Sequence, residues 1–335
     1  MKVLLICNYK PGVGGISGQV ELLQRYLRSE GHTAEIFSTK ASVLRRLLLS
    51  FRLIRVAREY DVLHIHCCSG WGFLPAVGGV SVGRWMKKRI VLTYHGGGGE
   101  HFFDKNSCLV RHYLMRTDAN IVLSGFLAKI FDKHHLPYTI IPNIIELDDK
   151  QYRSRETLKP NFICTRAHEE LYNISCILRA FQKTLTELPE ATLILVGDGS
   201  QHEELVNMTK EMGLTNVTFT GRVDNTEIYT YLDQFDIFLS SPTIDNMPVS
   251  VLEAMNAGLL VISSRIGGVP YMIRNGVNGL LFDSNDSNKL AELMLWSVEN
   301  QAIAKAIIQQ AHQSVRKYRW GSIKYKLYDA YGFSS

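Results

Sequence analysis

No window of this 335-residue chain approaches the run of about eighteen uncharged apolar residues that a membrane-spanning helix needs. The opening run Met1-Lys-Val-Leu-Leu-Ile-Cys7 is too short for a signal-peptide core and passes straight into a glycine-rich turn. The expectation is a cytoplasmic chain, free or peripheral on the inner face of the cytoplasmic membrane. The six cysteines (Cys7, Cys67, Cys68, Cys108, Cys164, Cys176) contain no CxxC pair, and several lie in apolar runs where a thiol is simply a small hydrophobe. That pattern fits a reducing compartment without structural disulfides. There is no internal repeat and no low-complexity tract. The dinucleotide fingerprint GxGxxG also fails, because counting from Gly12 puts Ser17 at the third glycine. The strand Thr33–Ser38 has no acid at its end for a ribose 2′-hydroxyl, which disfavours a nicotinamide oxidoreductase.

What is present is a chain too long for one ordinary core, so two domains are expected. Its 46% hydrophobic and 21% charged residues are those of a folded globular protein. The net charge of +5 is unevenly spread: residues 1–145 carry 19 Lys/Arg and 9 Asp/Glu, residues 146–335 carry 18 and 23. A first half at +10 and a second at −5 place an anionic surface or ligand against the first. No nucleic-acid partner is expected.

Apolar runs bounded by turn residues mark strands at Val3–Cys7, Thr33–Ser38, Asp61–Cys67, Arg89–His95, Ala119–Ser124 and Thr139–Ile141. After Pro142-Asn143 the stretch Asp148–Pro160 is polar and charged, and the boundary is placed there, with domains at 1–147 and 148–317. A second series follows at Phe162–Thr165, Ala191–Val196, Val217–Thr220, Asp236–Leu239, Leu259–Ser263 and Gly279–Phe282, with helical patterns between. Strands alternating with helices argue two doubly wound parallel-sheet domains, an α/β fold with a cleft between them for two substrates. Val43–Arg58 reads as a helix with Arg45, Arg52 and Arg55 on one face and Leu44, Leu47, Leu48, Phe51 and Ile54 on another. It either lies on an anionic lipid surface or packs its apolar stripe on the core. His64 and His66 share a strand face beside Cys67, but no complementary ligands with zinc spacing occur elsewhere, which favours core or cleft histidines. His95 ends a strand and leads into Gly96–Gly99, the place where open α/β sheets bind ligands.

One stretch organises the second half, Ser241-Pro-Thr-Ile-Asp245-Asn246-Met247-Pro248-Val249-Ser250-Val251-Leu252-Glu253 to Gly258. Pro248 suits the first position of a helix and Gly258 suits its end. The helix start offers unpaired N–H groups to an anion, while Asp245 and Glu253 flank it with hydroxyl acceptors. A nucleotide-sugar has both a diphosphate and hydroxyls. The plainer alternative is a loop turn at Asp245 and a solvated helix face at Glu253.

Taken in order, several short motifs resemble a retaining glycosyltransferase of family four, with the GT-B fold. They are Gly14-Gly15, Thr93-Tyr-His95-Gly, Ile141-Pro-Asn143, Thr165-Arg166, Leu195-Val-Gly-Asp-Gly199, Phe219-Thr-Gly-Arg-Val223, the acidic-x7-Glu stretch, Gly267-Gly-Val-Pro, Asn275-Gly-Val-Asn-Gly-Leu-Leu and the aromatic tail around Trp320. The resemblance implies that the tail, about 318–335, crosses back onto the first domain. It implies a nucleotide-sugar donor, UDP-linked in preference to GDP-linked, and a saccharide or lipid-linked saccharide acceptor in cell-surface polysaccharide or glycoconjugate synthesis. It implies no metal and no cofactor. Arg166 and Gly15, with Gly14, would meet the diphosphate; Glu253 would accept from the ribose; Arg222-Val223 would hold the base. Asp245 and His95 would face the sugar, and the backbone around Asn246, Met247 and Val249 would contact the sugar or diphosphate. The transfer implied is front-face displacement with retention. The sequence departs from the family where a lysine five residues after the arginine is replaced by Leu171, where Asp245 stands for glutamate, and where Tyr271 stands for an acid. A nucleotide-sugar 2-epimerase and a non-catalytic nucleotide-sugar-binding scaffold are the competing readings.

Overall fold

Runs of consecutive apolar residues form strands in this protein because helices cover both faces of each sheet. The computed structural model describes residues 1–11, 15–40, 46–146 and 151–333, with the backbone alone at 46–50. Gly14 and Arg45 therefore lie outside the described residues. The chain divides into one unit of Met1–Glu146 with Tyr318–Ser335 and a second of Leu147–Lys317.

The first unit contains β1 (Lys2–Cys7), α1 (Ile16–Ser29), β2 (Thr33–Ser38), α2 (Arg46–Ala57), β3 (Val62–Cys67), α3 (Leu74–Trp85) and β4 (Arg89–Tyr94). It continues with α4 (Gly99–Lys105), α5 (Ser107–Leu114), β5 (Ala119–Val122), α6 (Gly125–Lys133) and β6 (Thr139–Ile140). The six strands are parallel in the order β2-β1-β3-β4-β5-β6. Alternate residues enter two cores. Leu4, Ile6, Leu63 and Ile65 pack with α2, α3 and α6 on one side; Val3, Leu5, Cys7 and Val62 pack with α1 on the other.

The second unit contains β7 (Asn161–Cys164), α7 (Ile174–Thr184), β8 (Thr192–Val196), α8 (His202–Glu211), β9 (Val217–Gly221), α9 (Ile228–Gln234) and β10 (Ile237–Ser240). Then come α10 (Val249–Asn256), β11 (Leu260–Ser264), β12 (Leu280–Phe282), α11 (Ser287–Glu299) and α12 (Gln301–Val315). The parallel order is β12-β11-β10-β7-β8-β9. The last helix, α13 (Trp320–Tyr331), returns to the first unit, where Trp320 stacks on Tyr26 at 5.2 Å and Lys324 pairs with Glu30 at 2.9 Å.

Four helices, α3 to α6, occupy stretches to which the sequence reading assigns no helix. In α3 the reason is visible. A Cβ on Gly79 would stand 2.7 Å from the Ile65 side chain, and one on Gly83 would stand 2.7 Å from Ile90, so this helix needs glycine to lie close on the sheet. Gly96–Gly99 is not a free loop either: Gly99 begins α4, and a Cβ on Gly96 would meet the Tyr94 hydroxyl at 2.7 Å. In α2 the core side is Leu53 and Ala57, while Phe51, expected on the apolar face, is 72% exposed beside the exposed Arg52 and Arg55. Within the polar stretch before β7, Arg155 is buried: it pairs with Asp236 at 3.1 Å and donates to the Ala257 and Gly258 carbonyls at 2.7 Å each. That network ties the end of α10 to the start of the second unit.

Candidate active site

In the second sheet the chain runs from β7 outward to β9 and then returns to lay β10 on the other side of β7. Loops leaving two such strands diverge, and the crevice between them is where open α/β sheets hold ligands. Arg166 follows β7, and the Asp245 loop follows β10. The structure joins them. The Arg166 guanidinium forms an ion pair with the Asp245 carboxylate, donates to Ser250 Oγ at 3.0 Å, and lies 4.0 Å over the Tyr172 ring. Its Nε is buried with no hydrogen-bond partner among the described residues. Burial is the largest influence and opposes the Arg166 charge, but Asp245, Tyr172 and Cys164 together outweigh it and the pKa is raised. A cation held on three sides loses little freedom when a ligand arrives.

The residues that position this cluster are small or turn-forming. A Cβ on Gly197 (φ +151°) would lie 2.3 Å from the Arg166 carbonyl, and one on Gly267 would collide with that of Asp245. The Asp245 loop is held further by the Gly268 N–H, which donates to the Asp245 carbonyl at 3.1 Å, and by Asp245 itself, which caps the Asn246 N–H at 2.8 Å. Ser241 Oγ donates to the carbonyls of Tyr172 and Asn173, at 3.1 and 2.8 Å, fastening the loop that carries the aromatic ring.

Pro248 is the N-cap of α10 (φ −65°, ψ 115°), one position earlier than expected, and Val249 is the first helical residue. An extended ψ at the proline lets the chain turn into the helix while presenting its first N–H groups outward. Gly258 ends the helix at φ +79°, as its position in the sequence suggests. Glu253, on the second turn of α10, is half-buried, and burial pushes its carboxyl up to about 7 while the Arg166 charge pulls it down. Asn246 and Met247 are buried, Val249 and Val223 are half-buried, and Arg222 is exposed after the turn at Gly221.

Gly15 and His95 belong to the first unit. Gly15 caps α1 at φ +70°, a conformation that favours glycine, and its Cβ position is open space. His95 is half-buried and meets His66 through a ring-nitrogen contact of 3.0 Å. His64, His66 and His95 line one small cavity of about 40 Å³ together with Gln19, Thr93 and Asn143. Among the described residues no group of three or more His, Cys, Asp or Glu side chains is placed to hold a metal ion. Tyr172 and Ser250 have no counterpart in the sequence reading. Ser250 sits in the first turn of a helix already singled out, which is a usable signal; Tyr172 is brought to Arg166 by a loop, which leaves none.

Residues 146–314 match the family model described as glycosyl transferases group 1, and residues 37–149 match the model of glycosyltransferase family 4. The chain is 25% identical over 291 residues to N-acetyl-alpha-D-glucosaminyl L-malate synthase of Bacillus anthracis, covering 80% of this chain and 74% of that protein. It is 24% identical over 319 residues to alpha-monoglucosyldiacylglycerol synthase of Streptococcus pneumoniae, covering 79% and 70%. Among solved structures, Anabaena HepE in complex with UDP and glucose superposes with a TM-score of 0.81 over 99% of each chain at 19% identity. Sucrose-phosphate synthase from Thermosynechococcus elongatus gives 0.83 over 99% and 98% at 16%. At such identities the likeness establishes the GT-B fold.

Proposed function

The chain belongs to the glycosyl transferases group 1 family, and from that premise we propose that it is a retaining, metal-independent transferase of nucleotide-sugars. The acceptor is a saccharide or a lipid-linked saccharide, and the product enters a cell-surface polysaccharide or glycoconjugate. The observation that carries this reading is the Arg166 guanidinium at the sheet's switch point, preheld by Asp245, Ser250 and Tyr172 beside the start of α10. A planar, permanently charged donor next to a helix N-terminus suits a diphosphate. Glu253 accepts from the ribose hydroxyls, Arg222-Val223 holds the base, and the backbone of Asn246, Met247 and Val249 meets the sugar or diphosphate. We assign His95 to the transferred sugar and Gly15 to the diphosphate, and the first unit to the acceptor.

In the reaction proposed, the bond from the anomeric carbon to the diphosphate oxygen breaks. The acceptor oxygen bonds to the same face, and its proton passes to the departing phosphate oxygen. Negative charge grows on the leaving group, where Arg166 and the helix end already stand, and such preorganised charge is the main catalytic contribution. Asp245 is released from Arg166 as the diphosphate takes its place and turns to the sugar hydroxyls. UDP is favoured as the nucleotide because HepE was solved with UDP and glucose, and the names of the two synthases point to hexosyl or N-acetylhexosaminyl groups. A cytoplasmic protein, peripheral on the membrane through α2, completes the proposal. Leu171, where the family's lysine is missing, favours one second reading, a protein that binds nucleotide-sugar without turnover.

The test is incubation with UDP-, GDP- and ADP-sugars and a membrane extract, following nucleotide release and sugar transfer. UDP release that depends on acceptor supports transfer. Binding without turnover under every acceptor establishes the second reading, and epimerised donor without acceptor refutes both.

A further inference from the structure

Three histidines from two neighbouring strands meet in the first unit. Side-chain alternation puts His64 and His66 on one face of β3, with ring centroids 4.2 Å apart. Strand register sets His66 opposite Thr93, two residues before His95. Both ring nitrogens of His64 are occupied by hydroxyls, Tyr331 of α13 at Nδ1 and Thr93 at Nε2, each at 2.8 Å. His66 Nδ1 and His95 Nε2 approach to 3.0 Å with the rings stacked at 5.2 Å. Of these two nitrogens one donates and the other accepts, so the proton of each ring is fixed by the other.

We propose that His66 is a positioning residue: it donates its Nδ1–H to His95 Nε2 and thereby keeps the proton of His95 on Nδ1, making His95 a neutral hydrogen-bond donor to the transferred sugar. The proposal rests on the reading that His95 contacts that sugar. Its direction follows from the far side of His66. Nε2 of that ring is buried, and among the described residues no group pairs with it. In the reverse arrangement His66 would carry its proton there, as a buried N–H without a protein acceptor. That is the rarer and costlier failure, compared with an acceptor lone pair left idle.

Near neutral pH each ring carries a single proton. Burial pushes His95 down to about 4 and His64 down to about 3, and it pushes His66 well below its ordinary value. The groups facing the pair are neutral: His64 on β3, Thr93 on β4, Tyr331 on α13, Gln19 on α1 and Asn143. Among the described residues no carboxylate or ammonium lines the cavity. A neutral donor has a chemical advantage at this place. The sugar gains positive charge as the diphosphate leaves, and an imidazolium donating to that sugar would oppose the change.

The experiment is long-range proton–nitrogen spectroscopy of the full chain labelled with ¹⁵N-histidine. In the wild type both His66 and His95 should show a protonated Nδ1 and a bare Nε2. A proton on His95 Nε2 overturns the proposal whatever the activity, so its failure is distinguishable from failure of the transferase reading. In His66→Leu, His95 should drift to the mixed tautomers of free imidazole, and kcat should fall about three- to tenfold, the loss of one neutral hydrogen bond. His66→Asn places an amide N–H near the lost Nδ1–H and should restore both the tautomer and most of the rate. Equal rate losses in the two variants with an unchanged His95 tautomer would refute it.

Discussion

Replacing Glu253 by glutamine keeps the length and hydrogen-bonding reach of the side chain and removes its charge. In the folded chain burial lifts this carboxyl from the ordinary 4.5 to about 7. Each unit of pKa difference is worth ~1.4 kcal/mol, so ionised Glu253 opposes folding by about 3 kcal/mol at pH 8. The sign is fixed by proton counting. Between pH 4.5 and about 7 the folded chain holds a proton that the unfolded chain has released. Stability therefore falls as pH rises through that window, and is flat in this term on either side. Glu253→Gln lacks the term. Variant and wild type should be about equally stable near the low end of the window, and the variant should gain up to about 3 kcal/mol by pH 8, roughly 6–12 °C in the melting of a unit this size. Urea denaturation from pH 4.5 to 9 reads it directly. Parallel profiles would refute the burial argument. Binding moves the other way. A carboxylate that accepts ribose hydroxyls must be ionised, so UDP affinity in the wild type should fall about tenfold per pH unit below the raised pKa. The variant should bind UDP weakly at every pH, losing charged hydrogen bonds of ~1.5–3 kcal/mol each. Calorimetry in two buffers of different ionisation heat would show protons released on binding by the wild type alone. Undiminished UDP affinity in Glu253→Gln would sink the ribose assignment.

Three more predictions concern the same frame. Arg166→Lys keeps the charge but loses the planar fork and the stack on Tyr172, so UDP affinity should fall about tenfold or more, and unchanged titration curves would remove Arg166 from the diphosphate site. Gly197→Ala drives a Cβ to 2.3 Å from the Arg166 carbonyl at a φ of +151°. It should cost roughly 1–3 kcal/mol of stability by denaturant titration and displace Arg166, weakening UDP as well; an inert variant would contradict the close approach. Removing Arg52 and Arg55 together should weaken binding to anionic vesicles by ~1 kcal/mol per charge. Equal sedimentation with vesicles would make α2 an ordinary surface helix.

The strands were legible because each is a continuous apolar run closed by a turn, and a sheet covered on both faces demands that pattern. Helix α3 was not. Gly79 and Gly83 lower helix propensity, and their purpose, room for Ile65 and Ile90, exists only once the helix lies on the sheet. Phe51 shows the same limit. Helical periodicity groups it with the apolar residues, but which arc of α2 meets the core is set by the sheet beneath it, and Leu53 and Ala57 take that place.

The candidate site divides along the same line. Spacing singled out Asp245 and Glu253, since a loop and a second helical turn can each be read within a dozen residues, and the family resemblance singled out Arg166 at a strand end. That Arg166 pairs with Asp245, 79 residues away, is a consequence of β10 returning to lie beside β7. Strand order is a long-range property that local patterns do not carry. The desolvation that lifts Glu253 likewise arises only when distant segments exclude water together. The sequence by itself determined two alternating α/β series, the places where their strands end, and the residue types offered there. Tertiary structure decided which of those residues share a proton, a charge or a neighbour, because pairing and burial depend on packing between segments far apart in the chain.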